Sequence, residues 1–296
     1  MSKIAIVTDS TSGLSKADVQ KMDNVFMIHF SVQMDGKFYH EGIDISDAQF
    51  YDELATSAEF PTTAPPSMQE MFDFYDNVAK QGFDTIISIH ITSGITGFYN
   101  NLVTAVKDYE GPKVYPVDSF LSIQPMGYLV KYASELVKTD LEIDDKLSRI
   151  DDLKKTIGEY FVVDDLKNLV HGGRLTNAAA FTGGLLRIKP VLTMNNPEHK
   201  IVATNKIRTM RRAIHFIEDE FEDIRQKSGY KMHVYLTGTN NLESMKDWQK
   251  KIQTKYPELD VEIGQIGPVI GAHLGTNAYV LGWSKEVFDE SGKIIL

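Results

Sequence analysis

Ile4-Ala5-Ile6-Val7-Thr8-Asp9-Ser10-Thr11-Ser12-Gly13, residues 4–13, is a short apolar run that closes on hydroxyl and acidic residues and a glycine. A continuous apolar run of this length reads as a strand buried on both faces, and the polar residues after it read as a turn. A helix is predicted from Ser15. The same unit recurs where Thr85 to Ile91 leads into Thr92-Ser93-Gly94-Ile95-Thr96-Gly97 and a helix through Val106. It recurs again where Lys113 to Val117 leads into Asp118-Ser119 and a helix across Tyr128 to Leu136. Strands that alternate with helices imply a parallel sheet with right-handed crossovers.

Between the first two units, Val25 to Gln33 and Lys37 to His40 flank Met34-Asp35-Gly36, which predicts a hairpin. Ser46 with Gln49, and Ser67 with Glu70, have the spacing of capping boxes. Phe60-Pro61-Thr62-Thr63-Ala64-Pro65-Pro66-Ser67 reads as a proline-stiffened loop able to present hydroxyls accurately. The charged segment Ile143 to Tyr160 reads as an exposed helix at a domain boundary. Beyond it, strands at Ile188 to Met194 and Ile201 to Asn205 flank the turn Asn196-Pro197-Glu198, and a helix runs from Thr209 to Gln226. Strand, helix and strand then come at Met232 to Leu236, Ser244 to Lys255 and Val261 to Ile266. The expectation is an α/β protein of two domains, a parallel-sheet α/β domain over residues 1–158 and an α+β domain over 159–296.

The chain of 296 residues has no cysteine and a formal charge of −10. Without cysteine there is no disulfide, thiolate metal site or cysteine nucleophile, and a reducing cytoplasm fits. Thr85 to Val106 and Ile263 to Ser284 carry no Asp, Glu, Lys or Arg. They hold too many polar residues for a bilayer span, so no integral membrane segment is expected and they read as two walls of one pocket. No phosphate-binding loop, dinucleotide fingerprint, nucleophile elbow or metal-ligand spacing occurs, so neither cofactor nor metal is expected.

In a parallel α/β sheet the ligand sits beyond the carboxyl ends of the strands. Ser93 and Gly94 at such an end are expected to turn backbone N–H groups towards a carboxylate or phosphate. Asp164-Asp165 reads as a helix cap. His273, between Gly271 and Gly275, is a conspicuous imidazole in an uncharged stretch. From Leu166 to Arg212 the basic residues Lys167, Arg174, Arg187, Lys189, Lys200, Lys206, Arg208, Arg211 and Arg212 face Glu198 alone. Arg208, Arg211 and Arg212 share one helix side, a docking face for something anionic. The overall acidity and the lack of interleaved aromatics argue against nucleic acid.

Taken in order, residues 7–14, Thr63-Ala64-Pro65-Pro66-Ser67, residues 92–97, Val117-Asp118-Ser119, Val163-Asp164-Asp165-Leu166 with Gly172-Gly173-Arg174-Leu175, Ile188-Lys189-Pro190-Val191-Leu192, and residues 266–275 resemble the DegV family of bacterial fatty-acid-binding proteins. The resemblance runs from Val7 to about Ser284. It implies a non-enzymatic carrier with a long-chain fatty acid in a tunnel between two domains, its carboxyl group offered to a separate fatty acid kinase that makes acyl phosphate for phospholipid synthesis. By motif position Thr63 and Ser93 would bond that carboxyl group, with His273 close by. Arg174 and Arg208 would be basic residues of the head-group region and the kinase-docking face, to which the shared helix side adds Arg211. The residues taken alone also leave open a serine hydrolase acting on acyl esters, with Ser93 as nucleophile and His273 as base.

Overall fold

The computed structural model describes residues 3–182 and 188–295, with only the backbone described at residues 181 and 182, so Arg187 of the basic stretch lies outside the described residues. The strands are β1 (Ile4–Asp9), β2 (Val25–Ile28), β3 (Ser31–Met34), β4 (Lys37–His40), β5 (Thr62–Ala64), β6 (Thr85–His90), β7 (Lys113–Asp118), β8 (Gly158–Val162), β9 (Lys189–Thr193), β10 (Val202–Ile207), β11 (Met232–Gly238), β12 (Asp260–Gln265) and β13 (Tyr279–Lys285). The helices are α1 (Lys16–Gln20), α2 (Asp47–Thr56), α3 (Met68–Ala79), α4 (Phe98–Ala105), α5 (Ile123–Leu136), α6 (Ile143–Lys154), α7 (Lys167–His171), α8 (Ala178–Thr182), α9 (Met210–Ser228), α10 (Leu242–Lys255) and α11 (Pro268–Leu274).

The first half builds a parallel sheet in the order β2-β1-β6-β7. Both faces are covered, which is why its strands read as unbroken apolar runs. Ala5, Val7 and Ile86 pack towards α3 and α4, while Ile6, Ile87 and Ile89 pack towards α5 and α6. The second half builds a mixed sheet in the order β10-β9-β8-β13-β11-β12, in which β11 and β12 are parallel and the other pairs antiparallel. The chain passes from one sheet to the other between α6 and β8. Helix α5 packs against β1 on one side and against β11 and β13 on the other, and is buried almost all round, as a helix between two layers must be.

Four expectations differ in detail. Val25 to Gln33 is not one strand: β2 joins the parallel sheet, and the hairpin is made by β3 with β4. The chain leaves the sheet at Phe30, whose N–H donates to Ser10 Oγ. The proline-stiffened loop contributes β5, which pairs with β3 as the third strand of a small antiparallel sheet. The charged helix stops at Lys154, because residues 158–160 belong to β8. Of the capping boxes, Ser67 with Glu70 is complete, whereas Gln49 meets the Ser46 hydroxyl rather than its N–H. Among the described residues no helix is long and apolar enough to cross a membrane.

Candidate functional site

A mainly apolar cavity lies where the two halves meet. Its first-half wall comes from Phe30, Thr63, Ile91, Ile95 and Thr96 and from the start of α5 at Ser122 and Ile123. The second half supplies Glu159 and Phe161 of β8, Met194, Ile201, Val280 of β13, and α11 through Val269, Ile270, His273 and Leu274. Both uncharged stretches of the sequence therefore reach it, the first through residues 91–96 and the second through α11 and β13.

The polar groups are unevenly placed. Thr63 Oγ1 lies 2.9 Å from His273 Nε2, so β5 and α11 meet through a hydroxyl and an imidazole 210 residues apart in sequence. Burial, and then the nearby Arg174 guanidinium, push His273 down to about 4, so its ring stays neutral at ordinary pH. Gly172 makes this packing possible, since a Cβ there would sit 2.5 Å from His273 Nδ1. Arg174 is half-buried and donates to the Gly172 carbonyl. Phe60 stacks on His171 beside this cluster, with ring centroids 4.4 Å apart. Thr63, His273 and Arg174 thus form one polar cluster on the wall of a mainly apolar space.

Ser93 and Gly94 stand apart from the wall, on the loop that leads into Ile95. They do not open a helix, because α4 begins only at Phe98. Their N–H groups are taken internally, Ser93 donating to the Asp118 carboxylate and Gly94 to Thr92 Oγ1. Gly94 is required by a close approach: a Cβ there would run into the His199 carbonyl oxygen. Among the described hydrogen bonds, His273 is joined to Thr63 and not to Ser93. The acidic strand ends likewise organise loops. Asp9 accepts from Thr11 and from the Ile91 N–H, and its carboxylate begins a buried chain through His90 and Ser88 to Tyr75.

Asp165 caps α7 through the Lys167 N–H, and Asp164 pairs with Lys189 at 2.6 Å. Arg208, Arg211 and Arg212 are all exposed, but Arg208 precedes Thr209, the N-cap of α9, so only Arg211 and Arg212 lie on the helix and the expected three-arginine helix side is not formed; none of the three pairs with a carboxylate among the described residues. The fold also gathers His233, Asp260 and Glu286, which no sequence spacing announced. Burial alone would lower His233, but its hydrogen bonds to Glu262 and Glu286 hold it up at about 9. Two buried acids also went unread in the sequence, Glu159 on the cavity wall and Glu41 beside α11. Glu159 carries no motif; its one sequence signal is an acid in an otherwise apolar strand.

The family pattern described as "Uncharacterised protein, DegV family" matches residues 3–286. A DegV domain-containing protein of Listeria innocua is 39% identical over 283 residues, covering 95% of this chain and 98% of that protein. The crystal structure of DegV, a fatty acid binding protein from Bacillus subtilis, is similar with a TM-score of 0.87 and 33% identity, over 97% of this chain and 100% of that one. That of a fatty acid binding DegV family protein from Streptococcus agalactiae is similar with a TM-score of 0.88 and 29% identity, over the same 97% and 100%.

Proposed function

We propose that this chain, which belongs to the DegV family, is a carrier that holds one long-chain fatty acid in the cavity between its halves and presents the carboxyl group for phosphorylation. The observation that carries this reading is a mainly apolar cavity whose wall carries the polar cluster of Thr63, His273 and Arg174. Burying an acyl chain contributes about 0.8 kcal/mol per CH₂, so a dozen methylenes give on the order of 10 kcal/mol before association costs. Head-group contacts then need supply little. A threonine hydroxyl and a neutral imidazole can hold a carboxylate while leaving one oxygen reactive, and Arg174 neutralises its charge from the side.

The proposed partner is a fatty acid kinase, docked on the exposed Arg208 and Arg211 face, with both proteins in the cytoplasm. A carboxylate oxygen attacks the γ-phosphorus of ATP, ADP departs, and acyl phosphate enters phospholipid synthesis. By motif position Ser93 would offer its hydroxyl to the same carboxyl group, from the loop that leads into the Ile95 and Thr96 wall. Native mass spectrometry tests the carrier reading: purified protein should carry an added mass of one fatty acid that disappears on denaturation. Protein that is ligand-free and takes up no added fatty acid would overturn it. In the same preparation, charge reversal at Arg208 and Arg211 should abolish acyl-phosphate formation by the kinase without loss of the bound mass.

A further inference from the structure

The edge of the second sheet carries a cluster that the lipid reading does not use. His233 of β11 lies in register with Asp260 of the edge strand β12, and Glu262, two residues on, returns to the same face because side chains alternate along a strand. Ser284 of β13 lies opposite His233, and Glu286, two residues further, comes back to that face just past the strand end. Helix α5 packs over it with Tyr128, whose ring stacks on the imidazole with centroids 4.7 Å apart, and with Lys131, which reaches Glu262 at 3.3 Å. Two carboxylates therefore converge on one ring nitrogen: His233 Nδ1 is 3.2 Å from Glu286 Oε2 and 3.4 Å from Asp260 Oδ2. The His233 side chain is 8% exposed, and its buried Nε2 has no partner among the described residues beyond an approach of 3.5 Å to Glu262 Oε2.

Ion pairing alone accounts for this arrangement poorly. One N–H cannot point straight at two oxygens, and charge-assisted hydrogen bonds run at about 2.7–2.9 Å, shorter than all three approaches to the imidazole. Ligand atoms held about 2.0–2.1 Å from a tetrahedral ion stand about 3.3 Å apart, which is the spacing of both oxygens from Nδ1. Outer partners of the kind that orient metal ligands are in place as well. Glu262 faces Nε2, the nitrogen that would not bind the ion, and Tyr128 donates to the second oxygen of Glu286 at 2.7 Å. The charges agree: three carboxylates against Lys131 and a protonated His233 leave −1, and a divalent ion in place of that proton brings the cluster to zero.

We propose that His233 Nδ1, Asp260 and Glu286 form a binding site for a divalent transition metal of the zinc class, with Glu262 and Tyr128 holding the ligands in place. An imidazole with two carboxylates suits zinc better than magnesium, which takes oxygen ligands alone. Asp260 is exposed, so the ion enters from solvent and its fourth position falls to water. Bound there, the ion ties the edge strand β12 and the segment after β13 to the central strand β11. It binds the folded chain and not the unfolded one, so it stabilises the second half. The site is independent of the fatty-acid cavity, whose wall none of these residues lines.

The test titrates the full chain, freed of metal by a chelator, with Zn²⁺ and separately with Mg²⁺ by calorimetry. The ion must displace the proton that the same carboxylates help to hold on His233, so the titration is run at about pH 8. One Zn²⁺ per chain should bind with a Kd of about 1 µM or tighter, raise the thermal midpoint and be stripped again by chelator, while Mg²⁺ should do neither. Asp260→Asn, at an exposed position that the fold does not depend on, should weaken Zn²⁺ at least tenfold, and Glu262→Gln should weaken it about 10–100-fold through the lost outer partner. His40→Ala removes the exposed His40–Asp44 pair, the rival surface site, and should leave the tight binding unchanged. Absence of saturable Zn²⁺ binding overturns the proposal, as does binding that survives undiminished in Asp260→Asn or disappears in His40→Ala.

Discussion

Two spaces open between the halves of this molecule, and they share Ile123 and Ile270 as walls. One is the mainly apolar cavity that holds Thr63 and His273 on its wall. The other is a larger cleft lined by Lys16, Asp18, His29, Glu41, Asp47 and Glu262 as well as by apolar groups. The larger space is the worse home for a lipid, because an acyl chain laid there would strip water from charged groups without replacing their hydrogen bonds. In the smaller one it displaces water from Phe30, Ile91, Phe161 and Val280, which gain from the exchange. For the proposed acyl ligand the lining chemistry therefore favours the smaller space, and size does not decide.

The sharpest way to break this contrast is to breach the shared wall. Ile270→Asp would put a charge where α11 faces both spaces, letting water and the field of the cleft into the cavity. Retained fatty acid should fall by about 100-fold or more, equivalent to about 2.8 kcal/mol, and urea unfolding should lose about 3 kcal/mol of stability from a buried unpaired charge. Lys16→Ala, an exposed residue of the cleft alone, should change neither. Comparable loss of ligand in both variants would show that the two spaces act as one site.

The sequence announced the parallel sheet because each of its strands is buried on both faces, and a continuous apolar run needs no partner to be recognised. It announced the cavity less completely. His273 and the uncharged stretches were visible, but the pairing of His273 with Thr63 spans 210 residues and no local spacing encodes it. The Ser93-Gly94 turn looked like an anion site because glycine beside hydroxyls has that composition, yet here glycine answers a packing need from the other half. Gly94→Ala isolates that need. A methyl group forced against the His199 carbonyl should cost about 2–3 kcal/mol of stability in thermal or urea unfolding. It should also speed ligand loss from the apolar cavity, because the loop that carries Ile95 and Thr96 would shift. Unchanged stability would mean that the 198–199 turn moves aside freely.

The smallest expected effect compares a glutamate from each space. Glu41 and Glu159 are both raised from 4.5 to about 7, chiefly by burial. Glu41, unlike Glu159, has partners, accepting from Ser10 Oγ at 2.5 Å and from the Val269 N–H at 2.9 Å, which ties the small antiparallel sheet to the first turn of α11. The folded protein holds the Glu41 proton more tightly than the unfolded chain does. The stabilisation is therefore complete below about pH 4.5 and is lost as the pH rises through about 7. Glu41→Gln cannot titrate, so its stability relative to the native protein should climb by about 1–3 kcal/mol between those limits, read from urea midpoints at a series of pH values. Glu159 titrates over the same window in both proteins and cancels from the difference. A flat difference would mean that the Ser10 and Val269 hydrogen bonds outweigh burial and keep Glu41 ionised, placing the start of α11, and with it the helix that carries His273, under a fixed charge.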